Sequence, residues 1–599
     1  MAAVWAAAGL APLITVLALA LVGLQPSDPA GDRARARIAW VAPWTTLPAL
    51  VLALAGPAAG SVELPDLVLG TTLEVDGVAR LLLLVVVLIY LPALWTTAAR
   101  RTHHSPLLSA ILLLCFLGNA GALLAADAVT FYLFFALMSF AAYGLVVHRG
   151  TTAARRAARV YLVLTVVSEV LVLAGLMFVV TGGGRVLTEA PAAVAASPHA
   201  TLIVVLLMVG FGIKAGTVPL HVWVAPAYRQ APAPGAAVLS GALSKVGLVG
   251  MLRFLPLGEA GMAGVGWAIV GAGLAGMFGS IIAGVLRRDG RTALAYSSVG
   301  QLGLLALLVG AALVDPALAP ACIAAAVLYI AHHGLAKAAL FLGAPLWAGR
   351  AVVRRWVAAG SGLAALSIAG APLTPGFLAK YGAKEAVGDL PLLASALTVL
   401  GVGSTLILAR ALWLLHRDPP GAELPAQDAP GALATAPDHP PHASRAAILA
   451  WAVLALAAVL VPWVAGTAWV SQAHVPELSV ADLWAATWPV LLGLLAAGGA
   501  LWFARRGARA FRSPPTVPAG DLLVPAAALG RVAVAAASAG GATVGRGYRR
   551  ARDGLTAVAE RISPTAAAAR GEAVLGTWRA SGLALLLVAA LVVAAGWVS

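Results

Sequence analysis

The sequence predicts an all-α, polytopic membrane protein of about sixteen spans, the seventh and twelfth of them broken. Three observations predict it. Hydrophobic residues make up 61% of the 599 positions and charged residues only 11%, where soluble domains run near a quarter charged; mean hydropathy is +0.94. Apolar runs of ~20 residues, enough for one bilayer crossing, recur from end to end. Two of these runs carry a lysine beside proline and glycine: GFGIKAGTVPLHVW (210–223) and APLTPGFLAKYGAKE (371–385).

Taken in order, the apolar segments are 3–24, 38–57, 77–98, 106–126, 128–148, 159–181, 201–224, 234–256, 263–286, 293–314, 318–346, 354–386, 388–415, 446–467, 484–504 and 577–598. Ala2 to Leu24 is long enough to be a first span, with a cleaved leader as the alternative. The connectors test the count. One alternating set holds Arg33, Arg35 and Arg37, Arg100 and Arg101, Arg149 to Arg159, Arg229, Arg287 to Arg291, Arg350 to Arg355, Arg417 and the basic stretch from Arg505. The other holds Glu63, Asp66, Glu74, Asp76, Asp127, Glu259, Asp315, Asp389, Glu477 and Asp482, with Arg185 its clearest basic member. Arginine and lysine concentrate in cytoplasmic loops. The first set is therefore expected inside a cell membrane, with both termini outside. One missed span would mix the two sets.

Residues 1–104 are expected to form the N-terminal helices, 416–445 a flexible cytoplasmic loop rich in Pro, Ala, Asp and His, and 446–504 the C-terminal helices. In 505–576, Val544, Tyr548, Leu555, Val558 and Ile562 fall near helical spacing with arginines over much of the other face. That pattern reads as an amphipathic helix along the membrane or a partner subunit, with a loose basic linker as the alternative. Residues 577–599 hold the last span.

Composition and motifs exclude several classes. Cys115 and Cys322 both lie in apolar runs without CxxC spacing, which argues against a metal or iron–sulfur site. Neither a GxGxxG after a strand nor a GxxxxGK[ST] is present, so no nucleotide or other cofactor is expected. A net charge of +15 could suggest nucleic acid, but the arginines sit between spans, which points to the membrane instead.

Only five of the 39 basic residues are lysines: Lys214, Lys245, Lys337, Lys380 and Lys384. A lysine at the bilayer centre costs ~2.5–3.5 kcal/mol on insertion scales. Arginine holds its proton, whereas desolvated lysine can release it. Arginine at the surfaces and lysine inside therefore suggest proton exchange within the membrane. Codon bias with snorkelling lysines is the alternative; it suits Lys384 and fits Lys214, Lys245 and Lys337 poorly, since each has apolar sequence on both sides. Proline after Lys214 and before Lys380 breaks both spans, and broken helices are tolerated where they line a cavity. Paired breaks point to a transporter with internal repeats. In YIAHHGLAKAALFL, His333 and Lys337 are four apart and share a helix face, which suits a proton relay. His332 is expected to point elsewhere, as a neighbour or packing residue. Lys245, in VLSGALSKVGLVGMLRF, is a further relay candidate.

The stretch GFGIKAGTVPLHVWVAPAYRQAPAPGAAVLSGALSKVGLVGMLRF resembles the antiporter-like membrane subunits shared by respiratory complex I, Mrp sodium/proton antiporters and group 4 hydrogenases. LAYSSVGQLG, AHHGLAKAALFLGA and PLTPGFLAKYGAKE resemble the same family in the same order, over roughly 76–415; the lysine motifs are nearest the hydrogenase-4 component B branch. The resemblance implies two inverted five-helix repeats, here 105–256 and 257–415, and a polar axis carrying protons through half-channels. It implies that Lys214 is the broken-helix lysine of the first repeat, Lys245 the connecting lysine, His333 with Lys337 the central relay and Lys380 the terminal lysine.

One departure matters. The family's usual glutamate in the fifth span, in a pattern like FFELMS, is Ala136 here, in FYLFFALMSFAAYG. Glu169 in the next span, in YLVLTVVSEVLVLAG, is expected to replace it as partner of Lys214; the alternative is that Glu169 braces another helix and this half does not conduct. The expected function is a proton-translocating subunit of a respiratory-type redox complex, without a redox centre of its own. It would contact quinone only through partner subunits. The alternatives are an Mrp-type sodium/proton antiporter subunit and a non-conducting membrane scaffold.

Overall fold

The computed structural model describes residues 1–24, 29–67, 70–99, 105–417 and 444–506. Most of the expected 416–445 loop, nearly all of the 505–576 segment and the final span at 577–599 lie outside the described residues.

Nearly everything described is helical. The N-terminal helices are α1 (Ala2–Leu24), α2 (Pro29–Val41), α3 (Leu47–Ala55) and α4 (Gly77–Ala99); a two-stranded antiparallel hairpin, β1 (Ser61–Leu64) and β2 (Thr71–Glu74), precedes α4. Then come α5 (Ser105–Leu124), α6 (Ala128–Val147), α7 (Thr152–Thr181), a short α8 (Ala190–Ala196) and α9 (Ala200–Ala215). The chain continues through α10 (Val224–Gln230), α11 (Ala233–Val238), α12 (Ser244–Phe254), α13 (Ala263–Val285), α14 (Gly290–Val314) and α15 (Ala319–Gly343). It ends with α16 (Ala351–Ala369), α17 (Pro375–Glu385), α18 (Pro391–Arg417), α19 (Arg445–Val461), α20 (Thr467–Trp469) and α21 (Val480–Arg505).

Among the described residues, fourteen helical segments are long and apolar enough to cross a membrane. They overlie expected segments one to eleven and thirteen to fifteen. Expected segment twelve is the broken pair α16–α17, which the arginines at 354 and 355 and the gap at 370–374 keep out of the fourteen. The interior is formed by α4, α5, α11, α12, α14 and α15, whereas α7, α13 and α21 lie at the periphery.

Two devices set the frame. Gly266 and Gly273 on α13 meet Gly310 and Gly303 on α14; a Cβ at Gly303 would lie 2.6 Å from the Gly273 carbonyl oxygen, so the backbones touch as small-residue seams allow. At one end, Asp127 caps α6 by accepting from the amides of Val129 and Thr130, and also accepts from the Thr72 amide of β2. Buried Arg253, at the end of α12, donates to the carbonyls of Leu123 and Ala125 and pairs with Asp76 at 2.8 Å. The hairpin and this clasp leave no signal in the sequence; their residues are scattered over 61–253, and neither makes a periodic pattern.

Candidate functional site

The first break follows Lys214. Helix α9 ends at Gly216, whose φ of +83° is left-handed and suits glycine. The chain then turns through a cis Val218–Pro219 bond into α10. Breaking a helix frees carbonyls in its last turn; the Trp223 indole donates to one of them, Ile213 O, at 2.7 Å. Lys214 is 3% exposed and donates from Nζ to the Tyr161 hydroxyl at 3.1 Å. Tyr161 in turn donates to the Ser139 carbonyl at 2.9 Å. The Lys214 ammonium also lies 5.8 Å from the Phe135 ring centroid, within cation–π range.

The direct pairing expected between Glu169 and Lys214 is not formed. Helices α7 and α9 run past each other so that Ser168 Oγ donates to Gly210 O, one turn before Lys214. That register sets Tyr161, not Glu169, opposite the ammonium. Glu169 is buried, and neither carboxylate oxygen has a protein hydrogen-bond partner. The carboxylate stays within electrostatic reach of Lys214. Nearby on α4, α5 and α6, Tyr90 Oη, both amide atoms of Asn119 and Ser139 Oγ are likewise buried without a protein partner. Buried polar groups are ordinarily hydrogen-bonded, and the polar groups within reach here are each other: the Ser139 hydroxyl for the Glu169 carboxylate and Asn119 for the Tyr90 hydroxyl.

The centre is built around two glycines. Between α11 and α12 the chain makes a π turn over Leu239–Leu243, and π turns cluster at functional positions. Its Gly241 packs on Gly334 of α15; a Cβ there would lie 2.7 Å from Gly334 O. Gly334 falls between His333 and Lys337, so this contact brings the turn before Lys245 against both. One turn on, Gly247 lets α12 touch α9 at Lys214, where a Cβ would come 3.2 Å from Lys214 Cβ. Lys245 donates to Ser244 Oγ at 3.2 Å, and the hydroxyls of Ser240 and Ser298 are 3.5 Å apart. Ser298 donates to Leu294 O, which also accepts from Lys337 Nζ at 2.9 Å. Ser244 Oγ donates to Ser240 O at 3.4 Å, so three serine hydroxyls and the carbonyls of Ser240 and Leu294 lie between Lys245 and fully buried Lys337. His333 is fully buried, and both of its ring nitrogens lack a protein partner.

The second break precedes Lys380. Helix α16 ends at Gly370, φ +92°, and α17 starts with Pro375 behind a Thr374 cap whose hydroxyl accepts from the Phe377 amide. Lys380 reaches back across the break and donates to Ala369 O at 2.9 Å. Its other side opens on a cavity of about 110 Å³ lined by Tyr381, Lys384, Thr398 and, from α21, Asp482 and Pro489. His332, expected to point away from the His333–Lys337 face, turns toward this break: its Nε2 faces Gly376, where a Cβ would lie 3.0 Å from it.

Sequence reasoning missed Tyr161, the direct partner of Lys214, and the branch in which the Tyr329 hydroxyl donates to Gln301 Oε1 and Gln301 Nε2 donates to Ser404 at 2.9 Å. The Tyr329 ring stacks on His333 and meets His332 edge-on. Tyr329 is four residues before His333, a helical spacing that could have drawn notice.

Residues 125–407 match the family model described as NADH:quinone oxidoreductase/Mrp antiporter, TM. Hydrogenase-4 component B of Escherichia coli (strain K12) is 29% identical over 291 residues, covering 44% of this chain and 43% of that protein. A Na(+)/H(+) antiporter subunit of Alkalihalophilus pseudofirmus is 30% identical over 283 residues, covering 44% of this chain and 56% of that protein. The match spans about half the length of these two relatives. A chain of the Mrp complex from Dietzia sp. DQ12-45-1b shares the fold, with a TM-score of 0.65 at 20% identity, over 83% of this chain and 99% of that one. Residues 125–407, which hold Glu169, Lys214, Lys245, Lys337 and Lys380, are thus the part of the chain that matches the transmembrane domain of the NADH:quinone oxidoreductase/Mrp antiporter family.

Proposed function

We propose that the chain is a proton-translocating membrane subunit of a respiratory-type redox complex of the hydrogenase-4 or NADH:quinone oxidoreductase kind. One observation carries the reading: buried lysines and unpartnered imidazoles join two helix breaks through the middle of the molecule. Desolvation makes a lysine able to exchange its proton, and a neighbouring carboxylate or water decides when. Protons held near Lys214, with Tyr161 as its contact and Glu169 as the nearby carboxylate, pass by Lys245 to Lys337 and His333 and leave near Lys380. Moving one charge across the membrane works against ~2.3 kcal/mol per 100 mV. The drive comes from partner membrane subunits, with quinone handled by them alone.

We take 105–256 and 257–415 as two repeats, each with one broken, lysine-bearing helix. The arginine-rich connectors support a reading with both termini outside a cytoplasmic membrane.

The test is Lys337→Ala in vesicles that carry the assembled complex. Proton uptake should fall at least ~100-fold, the scale of a positioned proton carrier, while the amount of complex stays unchanged. Normal uptake would end the relay reading. A second reading, a subunit of an Mrp-type sodium/proton antiporter, is supported by the 30% identity to a Na(+)/H(+) antiporter subunit over 283 residues; proton movement that requires sodium would select it. Wild-type vesicles that move no protons under either drive would leave a membrane scaffold.

A further inference from the structure

Resting on that reading, we propose that His332 is a relay group in its own right, passing protons from the central His333–Lys337 pair to the second break. The central pair sits on α15, and Lys380 sits on α17 behind the break. Something must carry the proton from one helix to the other, and His332 lies at their crossing.

His332 is 1% exposed, and neither ring nitrogen has a protein partner. A histidine buried for packing would ordinarily donate from one nitrogen to a carbonyl. Nε2 is aimed at Gly376 in the first turn of α17. Gly376 has no space for a side chain: a Cβ would lie 1.5 Å from Ser367 O and 3.0 Å from His332 Nε2. The missing Cβ is what lets the imidazole reach the break. Lys380 follows Gly376 by four residues, so it lies on the same face of α17, ~5–6 Å along. Ser367 Oγ, which accepts from the Gly376 amide at 3.1 Å, adds a third polar group at the crossing. Lys380 lies within electrostatic reach of the His332 ring.

On the other side, Tyr329 touches both imidazoles, edge-on to His332 and stacked on His333. The Gln301 amide holds its hydroxyl. That brace fixes the two rings beside each other without taking up any of their four nitrogens. A proton arriving at one nitrogen of His332 leaves the imidazolium from the other, so the ring changes tautomer and no atom is gained or lost. Rotation of the ring, or the next proton, resets it.

The experiment uses vesicles carrying the whole assembled complex, with His332→Asn, His332→Gln and Lys337→Ala side by side. Asparagine and glutamine keep a donor and an acceptor but cannot take up a proton. Both variants should assemble in wild-type amount and lose uptake ~100-fold, as Lys337→Ala does. The histidine ¹⁵N signal that disappears in the variants should show, in the wild-type chain, averaging between the two tautomers. Variants that pump like wild type while Lys337→Ala is dead would overturn the role of His332 alone. A wild-type His332 signal fixed in one tautomer would do the same, even if the variants failed to assemble. Normal pumping by Lys337→Ala would instead overturn the underlying relay.

Discussion

The two broken helices do the same thing to the backbone and opposite things to their surroundings. Each ends on a left-handed glycine, Gly216 or Gly370, and each associates a lysine with the C-terminal end of the first half-helix. That end carries the negative pole of the helix dipole and unpaired carbonyls, a favourable place for an ammonium. Lys214 stands before its break and is buried beside Phe135 and Tyr161, with Trp223 edge-on to Tyr161. Lys380 stands after its break and opens on a cavity completed by α21, an element outside the matched 125–407 region. The break accommodates the charge, and the surrounding helices decide whether it is sealed or reachable. A sealed lysine suits a site that stores a proton, and an open one suits a site that exchanges it.

The largest effect that could break this comparison comes from the glycines. In Gly376→Ala the new methyl would meet backbone, Ser367 O, which cannot swing aside. The second break should not form, and little chain should reach the membrane. In Gly216→Ala the methyl would meet Val224 Cγ2, a side-chain atom, and the left-handed backbone costs ~1–2 kcal/mol. That variant should persist at reduced amount. Immunoblots of membranes measure both, and the reverse order would show that the breaks are not held as described.

Next in size is access. Lys380→Cys should react with a small water-soluble thiol reagent at least ~10-fold faster than Lys214→Cys, because thiol reactivity follows exposure. The native Cys115 and Cys322 are both buried, so the background is low. Equal rates would erase the distinction between a sealed and an open break.

How far the sequence foretells this depends on what kind of signal each feature leaves. Spans leave long apolar runs, and fourteen expected segments coincide with helices able to cross a membrane. The breaks leave proline and glycine beside lysine, and both lie where those residues stand. Side-chain partners leave almost nothing. Tyr161 precedes Lys214 by 53 positions, and no local pattern ties them together. Glu169 is the more conspicuous candidate because a carboxylate among valines is costly, but cost indicates burial and not which group lies opposite. His332 is out of step with His333 and Lys337 on their helix face, which in the sequence makes it a packing residue. That argument covers one helix only; the other face meets a second, α17, so the ring turns from His333 and Lys337 toward the second break.

The smallest expected effect sharpens the first break most. Tyr161→Phe removes the hydroxyl that accepts from Lys214 and donates to Ser139 O, leaving a buried ammonium without its hydrogen bond. A hydrogen bond to a charged group is worth about 1.5–3 kcal/mol, so proton uptake should fall ~10-fold or more. Glu169→Gln removes only a charge acting over a longer gap, and ~3-fold is expected from a screened interaction of that kind. Adding Ala136→Glu to Glu169→Gln returns a carboxylate to α6 at the place where the resembling family carries its glutamate, and should recover the loss. If Glu169→Gln proves worse than Tyr161→Phe, the carboxylate reaches Lys214 during turnover and the tyrosine is the resting partner. If Glu169→Gln has no effect and Ala136→Glu changes nothing, the first break stores its proton without a carboxylate. Its aromatic walls and Tyr161 would then be the whole of its apparatus.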